Sequence, residues 1–249
     1  MTSAAAGPGQ TTAFILAGGR GSRLAPYTTI IPKPLVPVGN RSILEVLISQ
    51  LVRCGITDIV ISLGYLGHLI QAVVGDGSSL GASVRYTTED EPLGTAGPLQ
   101  LLAPRPAGRS VIVLNGDTLT DMEFARFVDD HVASGAAASI AVVERQTHID
   151  FGVVEMSGSG ALERYIEKPS YSHLVSIGVN AFSTEALGEI ERGERIDMPD
   201  FLRRLQSRGG AVRCARLDCF WLDLGRVDDL RAATELVQGE PDRFAIEQP

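Results

Sequence analysis

The chain has 249 residues, 44% of them hydrophobic and 21% charged, with a formal net charge of -8. That size and composition suit one globular α/β domain with a full core, with room for a small insertion or lobe. The acidic balance argues against general affinity for nucleic acid or an anionic membrane, although two or three well-placed cations suffice for a local phosphate pocket.

Residues 1–10 are small, polar, Pro or Gly, with neither a basic nor an apolar block, and read as a disordered lead instead of a signal peptide. No apolar run reaches the length of a membrane span, so a cytoplasmic protein is expected. Thr12–Ala17 reads as a buried strand that stops at Gly18-Gly19, and a Gly/Pro-rich loop continues to about Val38. Ser42-Ile-Leu-Glu45 forms a capping box ahead of a helix whose Leu44, Leu47, Ile48 and Leu51 share one face and which Gly55 ends. Residues 56–63 read as a strand, 65–74 as a helix, 82–87 as a strand, 95–102 as a helix and 111–114 as a strand entering Asn115-Gly116-Asp117.

No element is assigned between Asp117 and Phe151. Residues 151–156 and 162–166 flank a Ser/Gly turn as a β-hairpin. Residues 175–182 read as a strand, 199–208 as a helix, 212–216 as a strand, and 227–237 as a closing helix. Alternation of strands and helices implies crossovers, hence a doubly wound, mostly parallel α/β sheet of Rossmann-like type with a smaller mixed or antiparallel lobe. A single domain over 11–240 is expected: a nucleotide-binding half at 11–145, a sugar-phosphate half at 146–226, and the helix at 227–238. Ligands of such sheets sit beyond the carboxyl ends of the strands.

The strongest chemical signal is Leu16-Ala-Gly-Gly-Arg-Gly-Ser-Arg-Leu24 followed by Pro32-Lys-Pro34. Closely spaced glycines let backbone amides approach phosphate oxygens, and Arg23 and Lys33 supply charge to neutralise them. The pattern is neither a GxxxxGK[ST] P-loop nor a clean GxGxxG, so kinase and dehydrogenase readings do not fit. Asp117 leaves an apolar strand directly and projects at the sheet's carboxyl edge, where a hard cation would find an oxygen ligand; an isolated Asn-Gly-Asp is more often a turn or cap. His68, His131, His148 and His173 lack metal-ligand spacing and read as surface or loop residues, and Tyr65 and Tyr86 as packing. Cys54, Cys214 and Cys219 form no CxxC pair, so neither disulfide framework nor zinc site is expected. Asp228-Asp229 suits the start of the last helix.

These residues resemble the sugar-1-phosphate nucleotidyltransferase family, whose opening pattern is Gly-Gly-x-Gly-x-Arg-Leu and then Pro-Lys-Pro. The likeness continues through Glu91-Pro-Leu-Gly-Thr-Ala-Gly97, Asn115-Gly-Asp117, Phe151-Gly-Val-Val154, Glu167-Lys-Pro169, Gly178-Val-Asn180 and Trp221-Leu-Asp-Leu-Gly225, in family order along nearly the whole chain. The resemblance implies that Leu16, Ala17, Gly18, Gly19, Gly21, Ser22, Arg23, Lys33, Glu91, Gly94, Thr95, Ala96 and Gly116 bind nucleotide. It implies that Gly152, Glu167, Lys168, Asn180 and Trp221 bind the sugar phosphate, and that Asp117 and Asp223 bind Mg2+. Arg23, Lys33, Asp117 and Lys168 would then carry catalysis.

The implied partners are a nucleoside triphosphate and a sugar 1-phosphate, with no nucleic acid or membrane, and a homo-oligomer is compatible. Leu-Gly-Thr-Ala-Gly most resembles the loop of mannose- or heptose-1-phosphate guanylyltransferases, which favours GTP over dTTP, UTP or CTP. A sugar-like cyclitol phosphate is an alternative acceptor. Glucose-1-phosphate thymidylyl-, uridylyl- or cytidylyl transfer and a catalytically silent regulatory paralogue are alternative functions. A glycosyltransferase would normally show an Asp-x-Asp pair, and none lies near Asp117. Ser22 departs from the family's usual threonine but keeps a hydroxyl.

Overall fold

A computed structural model describes residues 11–102, 110–225 and 227–244; the expected lead at 1–10 lies outside them. The first strand, β1 (Thr12–Ala17), falls where expected. Its Ala13, Ile15 and Ala17 enter one hydrophobic cluster while Phe14 enters another, so both faces are covered and the run reads as continuously apolar. Three single 3-10 turns, Ser22–Leu24, Tyr27–Thr29 and Lys33–Leu35, lead to the small hairpin β2 (Pro37–Val38) and β3 (Arg41–Ser42). Helix α1 (Ile43–Arg53) begins at the capping box, with Glu45 N donating to Ser42 Oγ at 3.3 Å and Ser42 N donating to Glu45 Oε2 at 2.8 Å. It stops ahead of Gly55, whose φ of +80° reverses the chain.

The chain continues through β4 (Asp58–Leu63), α2 (Gly67–Val74), β5 (Ser83–Thr88), β6 (Ser110–Asn115) and β7 (Thr118–Thr120). Next come α3 (Phe124–Ser134), β8 (Ala138–His148), β9 (Val153–Met156), β10 (Leu162–Ile166) and β11 (Ser170–Ser183). The last elements are α4 (Met198–Ser207), β12 (Val212–Arg216), β13 (Trp221–Asp223) and α5 (Val227–Gly239).

Seven strands form one sheet in the order β12-β8-β11-β6-β1-β4-β5. Every neighbouring pair is parallel except those made by β11, which runs antiparallel to both β6 and β8. The first hydrophobic cluster packs α1, α2 and α3 on one face; the second packs α4 and the segments around Leu99 and Leu187 on the other. A third cluster seats α5 against β2, β7 and the start of α1. The expected antiparallel character appears as the reversed β11 and as separate β9–β10, β13–β7 and β2–β3 pairs. Because β9–β10 is nested between β8 and β11, the four strands make a long two-stranded ribbon whose outer end projects from the sheet.

Two expectations need correction. The helix expected at 95–102 is a 3-10 turn, Gly97–Leu101. Its closing bonds are i→i+3, Leu99 N donating to Ala96 O at 3.0 Å and Leu102 N to Leu99 O at 3.2 Å, while the amides of Ala96 and Gly97 tie the entry of the turn to Ile196 O at 3.0 Å. His131, expected at the surface or in a loop, is 3% exposed on α3, with Nδ1 2.8 Å from Ser139 Oγ. It lies on the stripe Phe124, Phe127, Val128 and His131, an amphipathic spacing that defines α3. His68, His148 and His173 are exposed as expected.

Candidate active site

From β1 the chain crosses to β4 and β5 on one side and returns to β6 on the other. A crevice therefore opens at the carboxyl ends of β1 and β6, the switch point of a doubly wound sheet. A cleft of about 490 Å³ lies there. Its floor is the loop after β1, which the fold presses flat. Gly116 N donates to Leu16 O at 2.9 Å, Tyr65 N donates to Gly18 O at 3.2 Å, and a Cβ on Gly64 would lie 2.6 Å from Gly18 O. Gly21 adopts φ +60°, and a Cβ there would lie 3.0 Å from Lys33 Cβ, so glycine lets the loop pass close over the Lys33 stem.

Lys33 is the centre of the cluster. Pro32 and Pro34 flank it in a 3-10 turn closed by Leu35 N donating to Pro32 O at 2.8 Å, which aims the side chain inward. The residue is 6% exposed. A buried ammonium needs compensation, and two carboxylates provide it: Lys33 Nζ donates to Asp117 Oδ2 and, at 3.3 Å, to Asp223 Oδ1. Arg23 approaches Asp223 Oδ2 at 3.6 Å. A Cβ on Gly225 would lie 3.1 Å from the Arg23 guanidinium and 3.3 Å from Asp223 Oδ2, so glycine there leaves room for this contact.

Leu16, Ala17, Gly18, Gly19, Gly21, Ser22, Arg23, Lys33, Gly94, Thr95 and Asp117 all line the cleft. The other residues expected at the site do not. Glu91 is exposed outside it, Ala96 is fully buried beneath the loop, and Gly116 is packed behind β1. Asp223 meets the cleft through its pairing with Lys33.

The residues expected on the sugar side lie elsewhere. Glu167 and Lys168 are exposed at the kink between β10 and β11, where Lys168 holds φ +43°, rare for a residue with a side chain. Gly152 is covered by the Tyr165 ring: a Cβ there would fall 2.2 Å from the Tyr165 hydroxyl oxygen. Asn180 and Trp221 carry two of the few buried polar atoms without a partner among the described residues, Asn180 Oδ1 and Trp221 Nε1.

Six lining residues were not singled out from sequence: Leu24, Pro34, Glu89, Pro92, Asn115 and Gly225. All but Glu89 fall inside the quoted motifs. Asn115 packs against Gly178, where φ is +74° and a Cβ would meet Asn115 Nδ2 at 2.3 Å. Glu89 Oε1 lies 3.5 Å from where a Gly18 Cβ would be, and Glu89 Oε2 accepts from Leu93 N at 2.7 Å. Its signal was available: an acidic residue directly after a parallel strand, the placement that made Asp117 conspicuous.

Whether the site fits a divalent cation can be judged from its donors. Among the described residues no three His, Cys, Asp or Glu side chains gather at a point. Asp117 and Asp223 nonetheless converge on one nitrogen, 27% and 40% exposed, and so offer oxygen ligands at a common position beside the glycine loop. Mg2+ characteristically takes one or two carboxylates and completes its shell with phosphate and water, so the pair fits it.

Fold and cleft define a doubly wound α/β protein with a glycine-floored crevice and a cation–carboxylate cluster at its switch point. The chain belongs to the nucleotidyl transferase family, whose family model matches residues 12–240. It is 28% identical over 235 residues to a mannose-1-phosphate guanylyltransferase of Mycobacterium tuberculosis, covering 92% of this chain and 66% of the relative. It is 33% identical over 224 residues to the mannose-1-phosphate guanyltransferase beta-A of Xenopus laevis, covering 87% of this chain and 62% of the relative. The chain thus spans less than two thirds of the length of these curated relatives. In fold it is similar to HddC from Yersinia pseudotuberculosis, with a TM-score of 0.71 at 24% identity, covering 90% of this chain and 98% of that one.

Among the described residues no helix is long and apolar enough to cross a membrane.

Proposed function

We propose that the chain transfers a nucleotidyl group from a nucleoside triphosphate to a sugar 1-phosphate and releases pyrophosphate. The observation that carries this reading is the convergence of Lys33, Asp117, Asp223 and Arg23 beside the glycine loop. A phosphate oxygen of the sugar 1-phosphate forms a bond to the α-phosphorus. The bond from that phosphorus to its bridging oxygen breaks, and pyrophosphate leaves with the electron pair.

No general base is needed, because the attacking phosphate is already ionised near neutral pH. The chief obstacle is repulsion between two anions, and the site addresses it with fixed cations and amides. Lys33 offsets charge at the α-phosphate, while Arg23 and the amides of the loop after β1 hold the departing pyrophosphate. Asp117 and Asp223 would hold Mg2+, which when bound supplies further neutralisation at the phosphates. On the acceptor side Lys168 orients the attacking phosphate; Glu167, Asn180, Gly152 and Trp221 contact the sugar.

GTP is the favoured donor and a mannose- or heptose-like phosphate, or a cyclitol phosphate of similar shape, the favoured acceptor. The names of the relatives support guanine, and so does Glu89. Guanine alone among the common bases presents both a ring N–H and an amino group on one edge, and a carboxylate accepts from both. Domain assignment follows the same reading: 11–145 handles nucleotide and 146–226 the sugar phosphate, although β11 and β12 of the second part share the sheet of the first and β8 runs across the boundary.

The test is pyrophosphate release with Mg2+, each common nucleoside triphosphate, and a panel of hexose, heptose and cyclitol phosphates. Release that requires both substrates and is lost in Asp117→Ala supports the reading. Nucleotide binding without release from any pair contradicts it and favours the silent regulatory paralogue.

A further inference from the structure

The segment that approaches the nucleoside is not held by its own turn. Residues 93–97 are stitched to the stretch immediately before and into α4. Ile196 N donates to Leu93 O at 2.9 Å, and Ile196 O accepts from Ala96 N and Gly97 N, each at 3.0 Å. Thr95 N donates to Asp197 Oδ1 at 3.0 Å, and Thr95 Oγ1 approaches the same oxygen at 3.4 Å. In return Met198 N, the first amide of α4, donates to Thr95 Oγ1 at 2.7 Å.

Asp197 occupies the N-cap position of α4, yet its side chain makes no capping hydrogen bond to that helix. Aspartate at an N-cap ordinarily accepts from the helix's own second or third amide. Here the carboxylate is turned to the loop instead, and Thr95 from the loop satisfies the helix. The exchange locks two segments about one hundred residues apart in sequence, 102 between Thr95 and Asp197. Gly94 makes the approach sterically feasible: φ is +84°, and a Cβ would lie 2.6 Å from Ile196 O and 2.8 Å from Asp197 Oδ1.

The far side of the lock is anchored in the core. Phe201 and Leu205 of α4 are buried in the second hydrophobic cluster, and Arg204 pairs with Glu194. Gln100 Nε2 donates to Glu194 O at 3.0 Å. Gly94 and Thr95 line the cleft, and their bonds to Asp197 and Met198 tie this part of its wall to the start of α4.

We propose that Asp197 is a positioning residue for nucleotide recognition, acting through Thr95 to hold residues 93–97 in the geometry that receives the nucleoside. The inference rests on the reading of the cleft as a nucleotide site. A loop held before binding loses little freedom on binding, so the lock sharpens both affinity and discrimination between bases.

The experiment compares wild type, Asp197→Ala and Asp197→Asn in three measurements. These are steady-state kinetics for GTP, UTP and the sugar phosphate, calorimetric GTP binding, and amide hydrogen exchange over 93–97. Asp197→Ala is expected to raise the GTP KM and Kd about five- to tenfold, with kcat at saturating GTP within about twofold of wild type. The sugar-phosphate KM stays unchanged, the preference for GTP over UTP falls, and exchange at Thr95 and Ala96 accelerates. Asp197→Asn keeps the Oδ1 acceptor and recovers most of these losses.

A purely structural role would reduce kcat alone, through a smaller folded fraction, equally in both variants; that result overturns the proposal. So does an unchanged GTP KM and Kd in Asp197→Ala while wild type binds GTP. Failure of wild type to bind any nucleoside triphosphate would sink the nucleotide reading itself, a separate outcome read from the wild-type calorimetry.

Discussion

Lys33 and Asp223 stand 190 residues apart in the chain, yet Lys33 Nζ lies 3.3 Å from Asp223 Oδ1. The same ammonium pairs with Asp117, so one buried cation holds two carboxylates from distant parts of the chain. β7 and β13 make this possible: Asp223 is the register partner of Thr118, the residue next to Asp117.

We predict that Lys33→Met, nearly isosteric but uncharged, lowers turnover by about a hundredfold or more. It also leaves Asp117 and Asp223 without the ammonium between them, with only Arg23 beside Asp223, which favours a replacement. Binding of Mn2+ in the absence of nucleotide, followed by electron paramagnetic resonance, should therefore tighten in the variant. Weaker Mn2+ binding than in wild type would show that the lysine does not compete for that position.

Glu89→Gln replaces one acceptor oxygen of the carboxylate by a donor. If Glu89 reads guanine, the GTP KM rises about tenfold while the UTP KM changes little, because only the guanine contact loses a charge-assisted bond. Competition kinetics with the two triphosphates check this; an equal change for both would assign Glu89 to bracing Leu93 alone.

Burial of His131 lowers its pKa below the ordinary value of 6.5, so folding favours the neutral ring. Below that value the unfolded chain binds more protons than the folded one, and stability falls as pH drops. The urea midpoint should hold between pH 7 and 8 and decline from about pH 6.5 downward. In His131→Gln the decline between pH 6.5 and 5.5 should be shallower; an identical slope in the two proteins would place the sensitivity elsewhere.

Ser42→Ala removes the side-chain acceptor of the capping box at the start of α1. The expected loss is about 1 kcal/mol of unfolding free energy, read from the shift in urea midpoint at constant slope. Glu45→Ala should cost a similar amount, and the double variant less than the sum, since the two bonds form one unit.

Much of the fold was legible because its signals are local. The Ser42–Glu45 box, the Gly55 stop and the apolar run of β1 each rest on neighbouring residues, and each appears in place. Missed elements had weaker local signals. α3 begins without a side-chain cap and carries a polar histidine on its buried stripe, so its periodicity is diluted. The 3-10 turn at Gly97–Leu101 carries the local pattern of a helix, and its tie to Ile196, about one hundred residues away, is invisible from its own sequence.

The family, the parallel α/β architecture and the glycine loop with Lys33 can all be read along the chain, since these depend on short-range spacing, turn chemistry and an ordered set of motifs. Which charges meet, that Glu89 joins the cleft and that Asp197 holds Thr95 follow only from the folded chain. Those contacts join distant segments brought together by burial of the hydrophobic clusters across the sheet. Strand order and register, which no local pattern encodes, choose the partners.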